Sequence, residues 1–165
     1  MELRGDRVVL RPFARDDVEA IAAIGREPEV ARWWPDLADD EPMGERLERG
    51  TGFSVTLEGE VVGFAQYWEE DDPEYRHAGI DLALSTRVHG RGLGRDTVRT
   101  LARHLVRDRG HHRVTIDPVL ANERAVRCYE AVGFRRVGVL RRYWHGPDGR
   151  WHDGLLLDLL ADEVD

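Results

Sequence analysis

The sequence predicts a mixed α/β fold. Three observations carry that expectation. A strand, a glycine-rich turn, an amphipathic helix and a second strand follow one another between Gly79 and Pro118, which is a βαβ unit with a parallel strand pair and a right-handed crossover. Two β-rich runs, Gly52–Leu57 and Val61–Trp68, flank the tight turn Glu58-Gly59-Glu60 and read as an antiparallel hairpin. Two further strand-like runs, Phe134–Tyr143 and Arg150–Leu160, flank the turn His145-Gly-Pro-Asp-Gly149. With 165 residues, 41% of them hydrophobic and 34% charged, the chain reads as one domain, 1–165, able to bury a core.

In chain order, Arg7–Pro12 is a first strand stopped by Pro12, which cannot donate to a ladder. Asp16 with Glu19 three residues on has the form of a capping box; Val18, Ile21 and Ala22 follow at helical spacing and Gly25 ends the helix. Residues 27–42 read as irregular, with Trp33 and Trp34 inside. The two Trp either plug the core or wall a binding pocket. Met43–Arg49 reads as a helical turn, and Glu69–Glu74 as an acidic loop, either solvated or a lip that attracts a polycation.

The stretch Gly79–Val98 organises the rest. Ile80, Leu82 and Leu84 alternate with Asp81, Ala83 and Ser85, so the two sets lie on opposite faces of the strand. Gly90, Gly92 and Gly94 then alternate with Arg91, Leu93 and Arg95. A turn this rich in glycine lets backbone N–H groups approach a ligand, and the helix that follows adds its free first-turn N–H groups and positive dipole end. Together they form an anion site, most often for phosphate. Beyond the turn, Val98, Leu101, Ala102, Leu105 and Val106 make an apolar helical stripe ended by Gly110. Arg113–Pro118 is the next strand. Asn122 caps a helix in which Ala125, Cys128, Tyr129 and Val132 share a face and Gly133 is the stop.

Composition narrows the chemistry. All 24 basic residues are Arg, and the net charge of −8 argues against a nucleic-acid binder while suiting a cationic partner. No Lys means no P-loop, and the G-x-G-x-G spacing in mid-chain departs from the dinucleotide fingerprint. Cys128 is the single cysteine, so no internal disulfide forms; a reducing cytoplasm fits, and the residue reads as core rather than nucleophile. No run is apolar enough for a membrane span. The adjacent His111 and His112 lack metal-ligand spacing, and no metal is expected.

His89-Gly-Arg-Gly-Leu-Gly94 before an amphipathic helix, with Asn122…Ala125…Tyr129-Glu130…Gly133-Phe134 downstream, resembles the GCN5-related N-acetyltransferase (GNAT) superfamily over nearly the whole chain. The superfamily usually has Gln or Arg where this chain has His89. Trp33-Trp34, Phe64-Ala-Gln66, Gly79-Ile-Asp81, Asp117-Pro118 and Arg127-Cys-Tyr-Glu130 are most similar to the aminoglycoside 6′-N-acetyltransferases.

The resemblance implies a twisted, mostly antiparallel sheet flanked by helices, with a parallel pair splayed around acetyl-CoA. It implies pantetheine pairing along Leu82, Ala83, Leu84 and Ser85. His89, Gly90, Arg91, Gly92, Leu93, Gly94 and Arg95 would surround the pyrophosphate, with Arg91 or Arg95 either meeting the 3′-phosphate or plain surface. Asn122 is a helix cap, a cofactor contact, or both. Asp81 is the candidate general base and Tyr129 the candidate acid toward the CoA thiolate. Trp33, Trp34, Gln66, Asp81 and Asp117 would face a small amine. The plainer readings are that Asp81 is paired with an Arg, that Asp117 organises an Asp-Pro turn, and that Tyr129 is core. The expected activity is direct acetyl transfer to a primary amine, best an aminoglycoside 6′-amine. The alternatives are a peptide N-terminus, a polyamine or other small amine, or a non-catalytic CoA-binding module. The protein is expected to act as a monomer or homodimer.

Overall fold

The structure is a computed structural model that describes residues 1–165. In chain order the elements are β1 (Leu3–Arg4), β2 (Val9–Pro12), α1 (Val18–Gly25), α2 (Pro28–Trp33), α3 (Asp40–Arg49), β3 (Gly52–Leu57), β4 (Glu60–Glu70), β5 (His77–Leu84), α4 (Leu93–Arg107), β6 (Arg113–Ile116), α5 (Glu123–Val132), β7 (Arg135–His145) and β8 (Trp151–Leu160). The strands form one eight-stranded sheet in the order β1-β2-β3-β4-β5-β6-β8-β7. Every neighbouring pair is antiparallel except β5 and β6, which are parallel.

The βαβ unit forms as expected because α4 has one apolar side. Val98, Leu101, Ala102 and Leu105 are each no more than 1% exposed. Each fully buried aliphatic side chain of this kind contributes roughly 1.5–3 kcal/mol. They pack with Val126 and Tyr129 of α5 and with Ala65, Ala78, Ile80 and Val114 of the sheet. Neighbouring residues of β4 point the other way. Phe64 joins Ile21, Ile24, Val30, Leu37 and Met43 in a second, smaller core under α1, α2 and α3. The sheet is therefore covered on both faces.

Several local expectations change. The first strand is shorter than Arg7–Pro12, because residues 6–8 are taken by another partner. The buried Asp96 carboxylate of α4 accepts from the N–H groups of Asp6 (2.8 Å), Arg7 (2.7 Å) and Val8 (2.9 Å). The capping box at Asp16 and Glu19 does not form, and Asp17 at the start of α1 makes no cap bond. Its carboxylate instead accepts from Arg11 and from Ser54 Oγ. Residues 27–42 are irregular only in part: 34–39 are turn and coil, but Pro28 opens α2, where its missing N–H and fixed φ suit a first helical turn, and α3 begins at Asp40. The acidic loop is shorter than 69–74, since Glu69 and Glu70 belong to β4.

Candidate active site

The parallel pair is where the site lies. β5 and β6 are in register only at Ala78↔Val114 and Gly79↔Thr115. From Ile80 on, β5 keeps its partner β4, and β6 keeps its partner β8 through Ile116. The two strands therefore part company, leaving backbone donors and acceptors on their facing edges. A cleft of about 1070 Å³ fills the gap. Its walls include α2 and α3 residues from one face of the sheet and α4 and α5 residues from the other, so it passes through the sheet.

One half is built for an anion. Gly90 (φ 73°) and Gly92 (φ 78°) lie in the left-handed region, and a Cβ at either would meet nothing. Gly92 stands at the N-cap of α4 and supplies no side-chain cap. No backbone N–H from Gly90 to Arg95 is taken by an acceptor within the protein. Six donors in the turn and at the helix N-terminus are thus left without a partner, as a phosphate site requires. His89 braces the turn: Nε2 donates to the Leu84 carbonyl oxygen at 3.0 Å, and Nδ1 accepts from Arg124. The ring thus ties the end of β5 to α5. Arg95, Arg124 and Arg127 line this half. Arg91 does not: its side chain is exposed and its carbonyl accepts from Arg7 at 2.8 Å. Asn122 caps α5, its Oδ1 accepting from Ala125 N at 3.4 Å, and also lines the cleft.

The other half is acidic and aromatic. Asp81 lies beside Gln66, the residue opposite it on β4, whose Nε2 donates to its carboxylate at 3.2 Å. Burial pushes its carboxyl above the usual carboxylate range; the Gln66 bond opposes that, the negative Asp117 adds to it, and Arg46 opposes it. Asp117, beyond the end of β6, is also raised by burial, against the hydrogen bond it accepts from the Tyr143 hydroxyl. Tyr143, on β7, is pushed up to about 12 by that bond to Asp117 and by burial. Its ring lies over Gly154, where a Cβ would come within 2.7 Å of it.

Tyr129 of α5 is 7% exposed and lines the cleft, and its hydroxyl makes no hydrogen bond within the protein. Burial drives its pKa far up, with Cys128, Asp81 and Asp117 adding to the effect, so the phenol holds its proton. Cys128, also on the wall, is raised to about 11 by burial, which suits a packed thiol rather than a nucleophile. Trp33 and Trp34 both line the cleft. Trp34 additionally packs its edge on Phe64 of the smaller core, so the two readings of that residue hold together.

The cleft thus gathers Trp33, Trp34, Gln66, Asp81, Leu82, Ala83, Leu84, His89, Gly90, Gly92, Leu93, Gly94, Arg95, Asp117, Asn122 and Tyr129, and leaves out Arg91. It adds Arg46, Arg124 and Tyr143, which sequence reasoning passed over. Arg46 and Arg124 sit in helices where Arg reads as solvated surface, and Tyr143 reaches Asp117 only through the β7–β8 pairing. No cluster of three or more His, Cys, Asp or Glu side chains is placed to hold a metal ion.

A sheet split at its parallel pair, with a phosphate cradle on one side and half-buried carboxylates with a protonated phenol on the other, defines a coenzyme-A-dependent acyltransferase. Residues 7–135 match the acetyltransferase (GNAT) domain family, and the chain belongs to that family. It is 33% identical over 166 residues to the aminoglycoside N(6′)-acetyltransferase type 1 of Klebsiella pneumoniae, an alignment spanning 87% of this chain and 80% of that one. Among solved structures it is similar to AAC(6′)-Ib in complex with ribostamycin and coenzyme A, at TM-score 0.76 and 28% identity, covering 96% of each chain. A GNAT-family acetyltransferase from Bacillus anthracis, 20% identical, shares the fold at TM-score 0.85 over 99% of this chain and 100% of that one. The protein is an N-acetyltransferase that uses acetyl-CoA as co-substrate.

Proposed function

We propose that this enzyme transfers acetyl from acetyl-CoA to the 6′-amine of an aminoglycoside, by direct attack in a ternary complex. The observation that carries the reading is the pair of half-buried carboxyls, Asp81 and Asp117, one on each side of the gap between β5 and β6, in the same cleft as the unpartnered Tyr129 hydroxyl. The names of the relatives support the choice of acceptor.

In this reading the pantetheine arm lies along the open edge of β5 at residues 82–85, and the pyrophosphate takes the N–H groups of residues 90–95. The acceptor arrives as an ammonium held by Asp117, whose bond from Tyr143 favours its ionised form. Asp81 removes a proton from the ammonium, and the freed nitrogen lone pair attacks the thioester carbonyl carbon. The tetrahedral intermediate collapses with cleavage of the C–S bond. Tyr129 then gives its proton to the departing sulfur, and the nitrogen of the new amide gives up its extra proton, which returns the phenol to its neutral form. Trp33 and Trp34 wall the acceptor half, where their rings suit a sugar face or a cation.

The test is acetylation of a panel of aminoglycosides, polyamines and peptides, read by release of free thiol. Turnover of 6′-amino aminoglycosides well above the other classes is expected. Equal or greater turnover of a polyamine or peptide N-terminus would overturn the choice of acceptor.

A further inference from the structure

Arg46 is the one cation set deep in the acidic half of the cleft. It belongs to α3, is 8% exposed, and lines the cleft near Asp81, whose charge it favours. Such a side chain is costly to bury unless its donors are used. Yet Arg46 spends only two of its five N–H groups within the protein, both on Asp36: Nη1 to the carbonyl oxygen at 3.3 Å and Nη2 to Oδ1 at 3.2 Å. Its guanidinium carbon lies 5.3 Å from the centre of the Trp34 ring. Nε and the second hydrogen on each Nη have no acceptor in the chain, and Nε is not sealed from solvent. A site meant for a bare polycation would gain nothing from a second cation there.

We propose that Arg46 is a specificity residue that recognises an oxygen of the acceptor, a hydroxyl or ring ether close to the amine that faces Asp81. The substrate class is then an oxygen-bearing amine such as an amino sugar, and amines without a neighbouring oxygen are disfavoured. The inference rests on the reading that the acceptor occupies the Asp81 half. It goes further by naming what, besides the amine, is recognised. The geometry of the fork matters as well as its charge: Lys in its place would keep a cation but lose the planar pair of donors.

The experiment compares two amines of similar size, 6-amino-6-deoxyglucose and cyclohexylmethylamine, with wild type, Arg46→Gln and Arg46→Lys. Free-thiol release gives kcat and KM, and calorimetry gives the acetyl-CoA Kd. Wild type is expected to favour the amino sugar by about tenfold or more in kcat/KM, as for a site whose buried donors demand a partner. Arg46→Gln should erase that preference through KM for the amino sugar alone. Its acetyl-CoA Kd should stay within about twofold, and any change in kcat that follows from losing the positive charge beside Asp81 should fall on both amines alike. Arg46→Lys should retain part of the preference, and it carries the test if the Gln variant melts early. The proposal falls if wild type uses both amines equally or neither, or if the variants lose both amines to the same extent. If 6-amino-6-deoxyglucose is acetylated and aminoglycosides are not, the aminoglycoside reading fails and this one stands.

Discussion

In the proposed mechanism Asp81 is a single residue that trades stability for chemistry. Its folded-state pKa is raised, so the folded chain binds the proton more tightly than the unfolded chain does. Its contribution is therefore most favourable at low pH, and it works against the fold once the pH rises through the unfolded value near 3.8. Asp81→Asn removes that cost and can still accept the bond from Gln66. At pH 7.5 the variant should melt no lower than wild type, while kcat drops by about 10²–10⁴, the usual contribution of a general base. Thermal melts alongside steady-state kinetics check both halves. The acid limb of the wild-type pH profile of kcat/KM should lie above the ordinary carboxylate range. Tyr129→Phe removes only the proton donor; a kcat lowered about tenfold or more with unchanged acetyl-CoA affinity is the expected result, and unchanged turnover removes Tyr129 from the mechanism.

At the scale of elements, the far end of β4 is tied to the turn between α4 and β6 by Glu69. Its carboxylate meets Arg109 Nη2 at 2.7 Å and the buried His111 Nε2 at 2.7 Å. The Arg109 bond, with His111 adding, holds the Glu69 carboxyl down to about 2 against its partial burial. A lowered pKa gives stability that is present above the ordinary value of 4.5 and lost as the pH falls toward about 2. Glu69→Gln should thus unfold at lower denaturant than wild type at pH 7, with the difference shrinking below pH 4.5, as urea melts at the two pH values would show. This pairing was invisible in the sequence, where Glu69 is one of a run of acidic residues and its partners lie 40 residues away. Apart from the two-residue β1, the strands, α4 and α5 were legible because their patterns are local: alternation, helical spacing, a capping Asn122, glycines at the stops. The start of α2 carried a local signal too, Pro28 after Glu27, but the neighbouring tryptophans and prolines masked it.

Across the whole molecule, the net charge of −8 and the cleft's polarity act together. Carboxylates gather where the amine would enter and Arg95, Arg124 and Arg127 where the phosphates would lie. A polycationic acceptor should be steered in, so its kcat/KM should fall when salt is raised from about 50 to about 500 mM, as screening shortens to a few ångströms. An unchanged kcat/KM would leave steering without a role. The site's backbone parts were legible from the glycine turn. Its side-chain parts were legible where a strand pattern exposed them, as with Asp81. Arg46 and Tyr143 were not, because what makes them part of the site is how α3 and β7 fold back over the sheet, and pairings of that range leave no mark on neighbouring positions.

The early parting of β5 and β6 has a further consequence. It leaves an edge in the middle of the sheet, two strands with unsatisfied ladder positions that an aggregating chain would ordinarily seek out. Closing that interior edge falls to the donor molecule, whose amides are proposed to stand in for a missing strand. The amide hydrogens of residues 80–84 that face the gap rather than β4, and those of residues 117 and 119, should exchange quickly in the free enzyme and slow when acetyl-CoA is added, while those of β2, β3 and the β3-facing side of β4 hardly change. Melting should rise with acetyl-CoA concentration by mass action, by about 2.7 kcal/mol at a hundredfold excess over Kd. The co-substrate would then be, for as long as it stays bound, a structural member of the sheet it reacts in.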